Sequence, residues 1–244
     1  MVGEREVALV SGATGGIGSA IARRLAADGF DLALTDVDFA DAGALLSELA
    51  GNGVRVETFQ VDALNLEAVN TLVPAVCVKF GRLDVLVNVA GVVVFQPLEA
   101  NTDADFERVL NINLRMAFVL SREAARVLPE GGRIVNIGSV VADRVPAPGL
   151  SLYTMSKGAL VGLTRACARD LGSRKIRVNC VQPGPIDTAL NPADSPIAEQ
   201  QIVATALSRF GRADEVAELV GFLAGRRSSY LTGAALDIDG GFNS

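Results

Sequence analysis

The chain has no histidine and no tryptophan among its 244 residues, only two tyrosines, and three cysteines, at positions 77, 167 and 180. Without histidine, neither a serine–histidine–carboxylate triad nor a histidine-ligated metal centre can be assembled. The wide cysteine spacing matches no metal-ligand motif, so no metal is expected and the thiols should be reduced and interior. No apolar run approaches the length of a membrane span. The first apolar stretch, Val7–Val10, is short and follows Glu4 and Glu6, unlike a secretory leader, so a cytoplasmic location is expected. Positive charge is also in deficit: the formal net charge is -6 and the pI about 4.8, which argues against nucleic acid or an anionic membrane as the main partner. The one basic cluster, Arg165, Arg169, Arg174, Lys175 and Arg177, reads as a solvated helix face.

Half of the residues are hydrophobic, so the chain is expected to fold, and its length suits one large domain spanning residues 1–244. A chain of this size removes roughly 70–75% of its unfolded surface from water. Short β-branched runs at Val7–Val10, Leu32–Thr35, Arg55–Phe59, Val85–Asn88, Arg133–Ile137, Arg177–Val181 and Ala235–Ile238 alternate with helical patterns near 17–28, 40–50, 65–80, 103–128, 152–172 and 212–224. Most strand candidates are apolar throughout, as strands covered by helices on both faces are. The expected fold is α/β: a Rossmann-type, doubly wound parallel sheet of about seven strands. Residues 184–211 break the rhythm with Pro185, Pro192 and Pro196 and a helical stretch, Ile197–Leu207. Placed after a strand, this segment should lie above the carboxyl ends of the sheet, as a mobile lid over a ligand.

Ser11-Gly12-Ala13-Thr14-Gly15-Gly16-Ile17-Gly18 follows the first strand and opens the first helix. Gly12, Gly16 and Gly18 permit a tight turn and close approach to a pyrophosphate, and the helix N-terminus supplies unpaired N–H donors. Asp36 ends the second strand, where a carboxylate accepts from ribose hydroxyls and repels a 2′-phosphate. No basic residue stands at 13–15 and Val37 follows the acid, so NAD(H) is favoured over NADP(H).

Tyr153 and Lys157 are four residues apart, on one helix face. The ammonium should lower the phenol pKa towards neutrality, leaving a proton donor or acceptor at physiological pH. Ser139, just beyond a strand, can hold a substrate oxygen. Ser151 is a rival hydroxyl without that position. Val92, Val93, Val94, Phe95, Val140 and Val141 are candidates for an apolar substrate wall. Small and apolar residues on more than one side of the 152–172 helix suggest cover by a second subunit.

Together the glycine loop, serine and tyrosine–lysine pair resemble the short-chain dehydrogenase/reductase family, and in particular its β-ketoacyl-carrier-protein-reductase-like branch. The resemblance runs the length of the chain. Ser11 stands where the family has threonine, and Asn88-Val89-Ala90-Gly91 resembles N-N-A-G with Val89 in place of the second asparagine. Asn113 matches the family's catalytic asparagine; Ser139, Tyr153 and Lys157 match its serine, tyrosine and lysine. The resemblance implies that Gly12, Thr14, Gly16, Ile17, Gly18, Asp36, Asp62, Ala63, Asn88, Ala90 and Gly91 bind the dinucleotide, with Tyr153 and Lys157. Pro183, Gly184, Ile186 and Thr188 would meet its nicotinamide end. Asn113 would organise a water linking Lys157 to solvent. The expected protein is a homotetrameric ketone/secondary-alcohol oxidoreductase. The rival expectation is a signalling protein that binds a nucleotide on the same fold without turnover, and the complete Asn113–Ser139–Tyr153–Lys157 set opposes it.

Overall fold

The computed structural model describes residues 5–244; Glu4 of the N-terminal stretch lies outside them. All seven expected strands form, as β1 (Val7–Ser11), β2 (Asp31–Asp36), β3 (Val56–Gln60), β4 (Val85–Asn88), β5 (Arg133–Ile137), β6 (Arg177–Pro183) and a last strand, Ala235–Ile238. Two short strands, β7 (Ile186–Asp187) and β8 (Gly211–Arg212), pair with each other at the two ends of the 184–211 excursion, so the last strand is β9. The main sheet is parallel throughout, in the order β3-β2-β1-β4-β5-β6-β9. Strand order reverses between β1 and β4, and a crevice for a ligand opens at their carboxyl ends.

Alternate strand residues face opposite layers. Ala8 and Val10 of β1 point towards α1 (Gly16–Ala27), α2 (Gly43–Gly51) and α8 (Ala213–Ala224), joining a core with Ile21, Leu25, Leu49 and Val220. Val7 and Leu9 point the other way, towards α3 (Leu66–Phe80), α5 (Met116–Val127) and α6 (Ser151–Leu171), among Leu72, Val76, Leu120 and Ile176. Two helices take their ends from capping residues that the sequence supplies. The Asn65 side chain accepts from Ala68 N at the start of α3, and Gly81 ends that helix at φ 80°. Thr102 and Asp105 form a reciprocal capping box on α4 (Asp103–Leu110).

Three expectations need correction. The 103–128 helix is interrupted: α4 passes into a π-helical turn, Asn111–Arg115, before α5. In the excursion, the helix α7 is only Ala198–Val203, because Thr205 Oγ1 turns back onto Ile202 O and Leu207 N is diverted to Gly240 O. Arg177 is not part of a solvated face. It is buried on β6 and donates to the carbonyls of Leu223, Gly225 and Ser228, closing the end of α8. No described helix is long and apolar enough to cross a membrane.

Candidate active site

The glycine loop lies against the turn after β4. Ser11 Oγ accepts from Val89 N (3.0 Å) and Ala90 N (3.3 Å), so the two strand ends at the switch point are tied by one hydroxyl. Gly12, at φ +64°, allows this approach: a methyl group there would lie 2.8 Å from Ala90 Cα. At Gly18 a methyl group would lie 1.9 Å from Gly12 O, so only glycine lets the helix begin directly beneath the turn. Thr14, Gly15 and Gly16 are exposed at the mouth of this cradle, and Ile17 is half-buried against the core. A cradle that any Cβ would fill, over a helix N-terminus, fits a dinucleotide pyrophosphate.

Asp36 closes the cradle from the side of β2. Its Oδ2 accepts from Thr14 N (2.9 Å) and Thr14 Oγ1 (2.8 Å), and its Oδ1 from Val37 N (2.8 Å). A carboxylate has about four acceptor sites, so this arrangement leaves room for a further donor. Asp62 is exposed, with Oδ1 accepting from Leu64 N, and Ala63 is half-buried beside it. Asn88 sits opposite Asn136 in the β4–β5 register and donates to its Oδ1 at 2.8 Å and to Ser121 Oγ at 3.3 Å; Asn136 in turn donates to Thr164 Oγ1. The brace across the central sheet thus forms with valine at position 89, while Asn88 Oδ1 is buried without a partner among the described residues.

Ser139, Tyr153 and Lys157 come together. Ser139 follows β5 and caps a short 3-10 turn (Val140–Ala142), its Oγ accepting from Val141 N at 3.4 Å, and it stands beside the Tyr153 side chain, whose pKa it lowers. Ser151 is engaged elsewhere, accepting from Asn101 Nδ2, which leaves Ser139 as the hydroxyl at the tyrosine. Lys157 is buried; its Nζ donates to Ile137 O at 2.8 Å and lies 5.6 Å from the Tyr153 ring centroid. Burial lowers the Lys157 pKa to about 8, against a smaller opposing effect from Cys180. The Cys180 thiol is itself pushed up to about 11, chiefly by burial.

The expected downward tuning of Tyr153 is not what the structure shows. Burial raises its pKa, and neighbouring Ser139 opposes that rise only in part. The ammonium is directed at the Ile137 carbonyl, and desolvation weakens its hold on a proton, so it contributes little to the phenol.

Asn113 lies in the π-helical turn with its carboxamide hydrogen-bonded through both its oxygen and its nitrogen. Oδ1 accepts from Val92 N (2.8 Å), while Nδ2 donates to Val92 O (2.9 Å) and Ser156 Oγ (3.0 Å). Ser156 Oγ donates its own hydrogen bond to Tyr153 O at 2.8 Å. Reading the sequence alone misses Ser156, although it stands inside the Tyr153–Lys157 string. The Asn113 side chain thus clamps the backbone beside Gly91, where a methyl group would lie 3.4 Å from Lys157 Nζ and 3.5 Å from Asn113 Oδ1.

Pro183 ends β6, and Ile186 is buried in the β7–β8 ribbon. Thr188 reaches the cradle: its methyl carbon would be 2.7 Å from a Cβ on Gly16. Val140 and Val141 are buried and Val92–Val94 half-buried, whereas Phe95 is exposed.

The seven-stranded parallel sheet with helices on both faces is shared with known proteins of solved structure. Residues 12–243 match the family model described as enoyl-(acyl carrier protein) reductase, and the chain belongs to the short-chain dehydrogenase/reductase family of oxidoreductases. Among individual relatives, it is 43% identical over 237 residues to the cyclic-di-GMP-binding biofilm dispersal mediator protein of Escherichia coli K12, covering 97% of this chain and 96% of that one. It is 34% identical over 241 residues to the 3-oxoacyl-[acyl-carrier-protein] reductase of Thermotoga maritima, covering 98% of each. A short-chain dehydrogenase of Burkholderia cenocepacia J2315, solved in complex with NADP, superimposes with a TM-score of 0.96 at 46% identity and 98% coverage of both chains.

Proposed function

We propose that this protein is an NAD(H)-dependent oxidoreductase that interconverts a ketone and a secondary alcohol, with Tyr153 as general acid and base. The observation that carries the reading is the grouping of Ser139 and Tyr153 beside buried Lys157, next to an open glycine cradle. The dinucleotide supplies or accepts the hydride. Tyr153 donates its proton to the carbonyl oxygen as charge develops there, and Ser139 hydrogen-bonds the same oxygen. The raised pKa keeps Tyr153 protonated at neutral pH, which suits reduction. Lys157, buried beside the tyrosine and anchored on the Ile137 carbonyl, holds the nicotinamide ribose. Asn113 keeps the Gly91–Val92 backbone in place beside Lys157.

Gly12, Thr14, Gly16, Ile17 and Gly18 hold the pyrophosphate, and Asp62, Ala63, Asn88, Ala90 and Gly91 line the adenosine side and the floor. Pro183, Gly184, Ile186 and Thr188 meet the nicotinamide end. Residues 184–211 act as the substrate lid. The preference for NAD(H) rests on Asp36 and on the absence of a cation at positions 13–15. The Burkholderia structure carries NADP, so the preference is a specific claim about this chain's own residues.

A homo-oligomer, expected to be a tetramer, is supported by a groove of about 370 Å³ lined by Phe106, Glu107, Leu110, Arg115, Phe118 and Leu163. Apolar side chains flanked by opposite charges suit a two-fold copy of the same surface. The Escherichia coli relative's name points to a nucleotide-binding alternative. A panel of ketones, diketones, 3-oxoacyl thioesters and secondary alcohols, assayed by nicotinamide absorbance with both dinucleotides, tests the proposal. Turnover of none, with binding of cyclic-di-GMP, selects the alternative.

A further inference from the structure

β9 and the tail that follows it touch three parts of the substrate side at once. Where the excursion leaves β6, Gly184 N donates to Ile238 O at 3.1 Å, and a methyl group on Gly184 would lie 2.7 Å from Asp239 Cα. Near the excursion's other end, Leu207 N donates to Gly240 O at 3.0 Å. Gly241, at φ +81°, faces Ala206, whose Cβ would be 2.7 Å from any Cβ placed there. The third contact is with the loop after Ser139. Gln182 Nε2 bridges Asp143 Oδ2 (2.6 Å) and Asp237 Oδ1 (2.8 Å). Arg144 donates to Phe242 O, with its guanidinium 5.3 Å from the Phe242 ring centroid.

These contacts differ in firmness. The tail is held internally, since Phe242 is buried and Asp239 accepts from Gly241 N and Asn243 N. The excursion's C-terminal end is also fixed: Glu215 accepts from Arg209 and Arg212 N, which hold its pKa down to about 2. Between tail and excursion, however, lies a cavity of about 120 Å³ bordered by Pro185, Leu207, Arg209, Glu215 and Gly240. A segment fixed at its C-terminal end, with glycine backbone contacts and open space along it, can pivot about that end.

We propose that Arg144 and Phe242 form a latch through which the tail sets the spacing between the 184–211 excursion and the loop from Ser139 to Tyr153. Arg144 is then a positioning residue for the carbonyl substrate and not for the dinucleotide. The kinetic consequence rests on the oxidoreductase reading; the structural coupling does not.

The test is amide hydrogen exchange and steady-state kinetics on Arg144→Gln, with Phe242→Leu as a second disruption of the same latch and Arg144→Lys as a partial rescue. Lysine keeps the charge but lacks the planar fork that both bonds and stacks. Exchange should accelerate by about fivefold or more in both 140–150 and 197–207 while staying unchanged in 16–27. The KM for a reduced ketone should rise by about fivefold or more, with the KM for the dinucleotide within about twofold. Exchange that changes only in 140–150, or in neither segment, overturns the latch, as does an equal rise in both KM values. If the wild-type protein reduces no ketone, the oxidoreductase reading fails while the exchange measurement still decides the coupling.

Discussion

Lys157 and Ile137 are joined at the boundary between α6 and β5, the buried ammonium donating to the carbonyl at the strand's last residue at 2.8 Å. A lysine held this way is costly to the fold. Its pKa falls from 10.5 to about 8, a change of 2.5 units, worth on the order of 3 kcal/mol. The penalty is fully present below about pH 8, and it fades as pH rises towards 10.5, because over that window the unfolded chain keeps a proton that the folded chain has lost.

Lys157→Met should therefore fold, lose turnover, and unfold at a higher temperature than the wild type at pH 7, less the cost of about 1 kcal/mol for stranding the Ile137 carbonyl. Thermal melts at pH 7 and pH 9 check this. A variant less stable than the wild type at pH 7 would show that the lysine is a net stabiliser.

Tyr153→Phe should lower kcat for ketone reduction by roughly 10²–10⁴ while leaving dinucleotide affinity within about threefold. Phenylalanine fills the same half-buried space and removes only the acidic hydroxyl beside Ser139. Rapid-quench turnover together with fluorescence titration of the dinucleotide separates the two effects. Retained turnover removes Tyr153 from the chemistry.

The pH dependence has a definite sign. Tyr153 stays protonated through neutrality because its pKa is raised, so reduction should be flat until Lys157 loses its proton near pH 8, and then decline. Alcohol oxidation requires the phenolate and should climb with pH. Profiles of kcat/KM in both directions decide the matter; oxidation that is fastest in acid contradicts the assignment.

Asp36→Ala should weaken NAD(H) by about 10–100-fold, as expected when charge-assisted hydrogen bonds are lost, and should reduce discrimination against NADP(H). Isothermal titration with each dinucleotide measures both. A wild-type preference for NADPH defeats the argument.

Phe118→Glu should split the assembly. The new carboxylate can pair with Arg122 one turn along α5, so the subunit keeps its fold while the groove loses its apolar rim. Sedimentation at micromolar concentration reads the outcome; a wild-type monomer rejects the interface.

The seven strands of the sheet and the Ser139–Tyr153–Lys157 cluster were legible because strand runs and short motif spacings are local signals. What escaped was non-local. Ser156 is visible as a letter, but its hydrogen-bond partner Asn113 belongs to a different helix. Ser11 reads as a substitute for threonine until β1 and β4 are neighbours, when its hydroxyl turns out to hold two amides of the opposite turn. The π-helical turn has no compositional signature in Asn111-Ile112-Asn113-Leu114-Arg115, and its presence follows from how α4 and α5 meet their neighbours. The tuning of Tyr153 was misjudged because spacing reports which groups are adjacent and says nothing of how much water surrounds them.

That π-helical turn makes the helix behave as if it had absorbed an insertion. Each residue of an α-helix advances about 100° around the axis, so removing one residue from 111–115 would restore a regular spiral and swing one half of the helix by that angle against the other. The capped start at Thr102 and the buried face at Leu120 could not both keep their places, and the amide of Asn113 would leave Val92. The reading frame of a single helical turn thus separates a chain that carries this site from one that merely resembles it in outline.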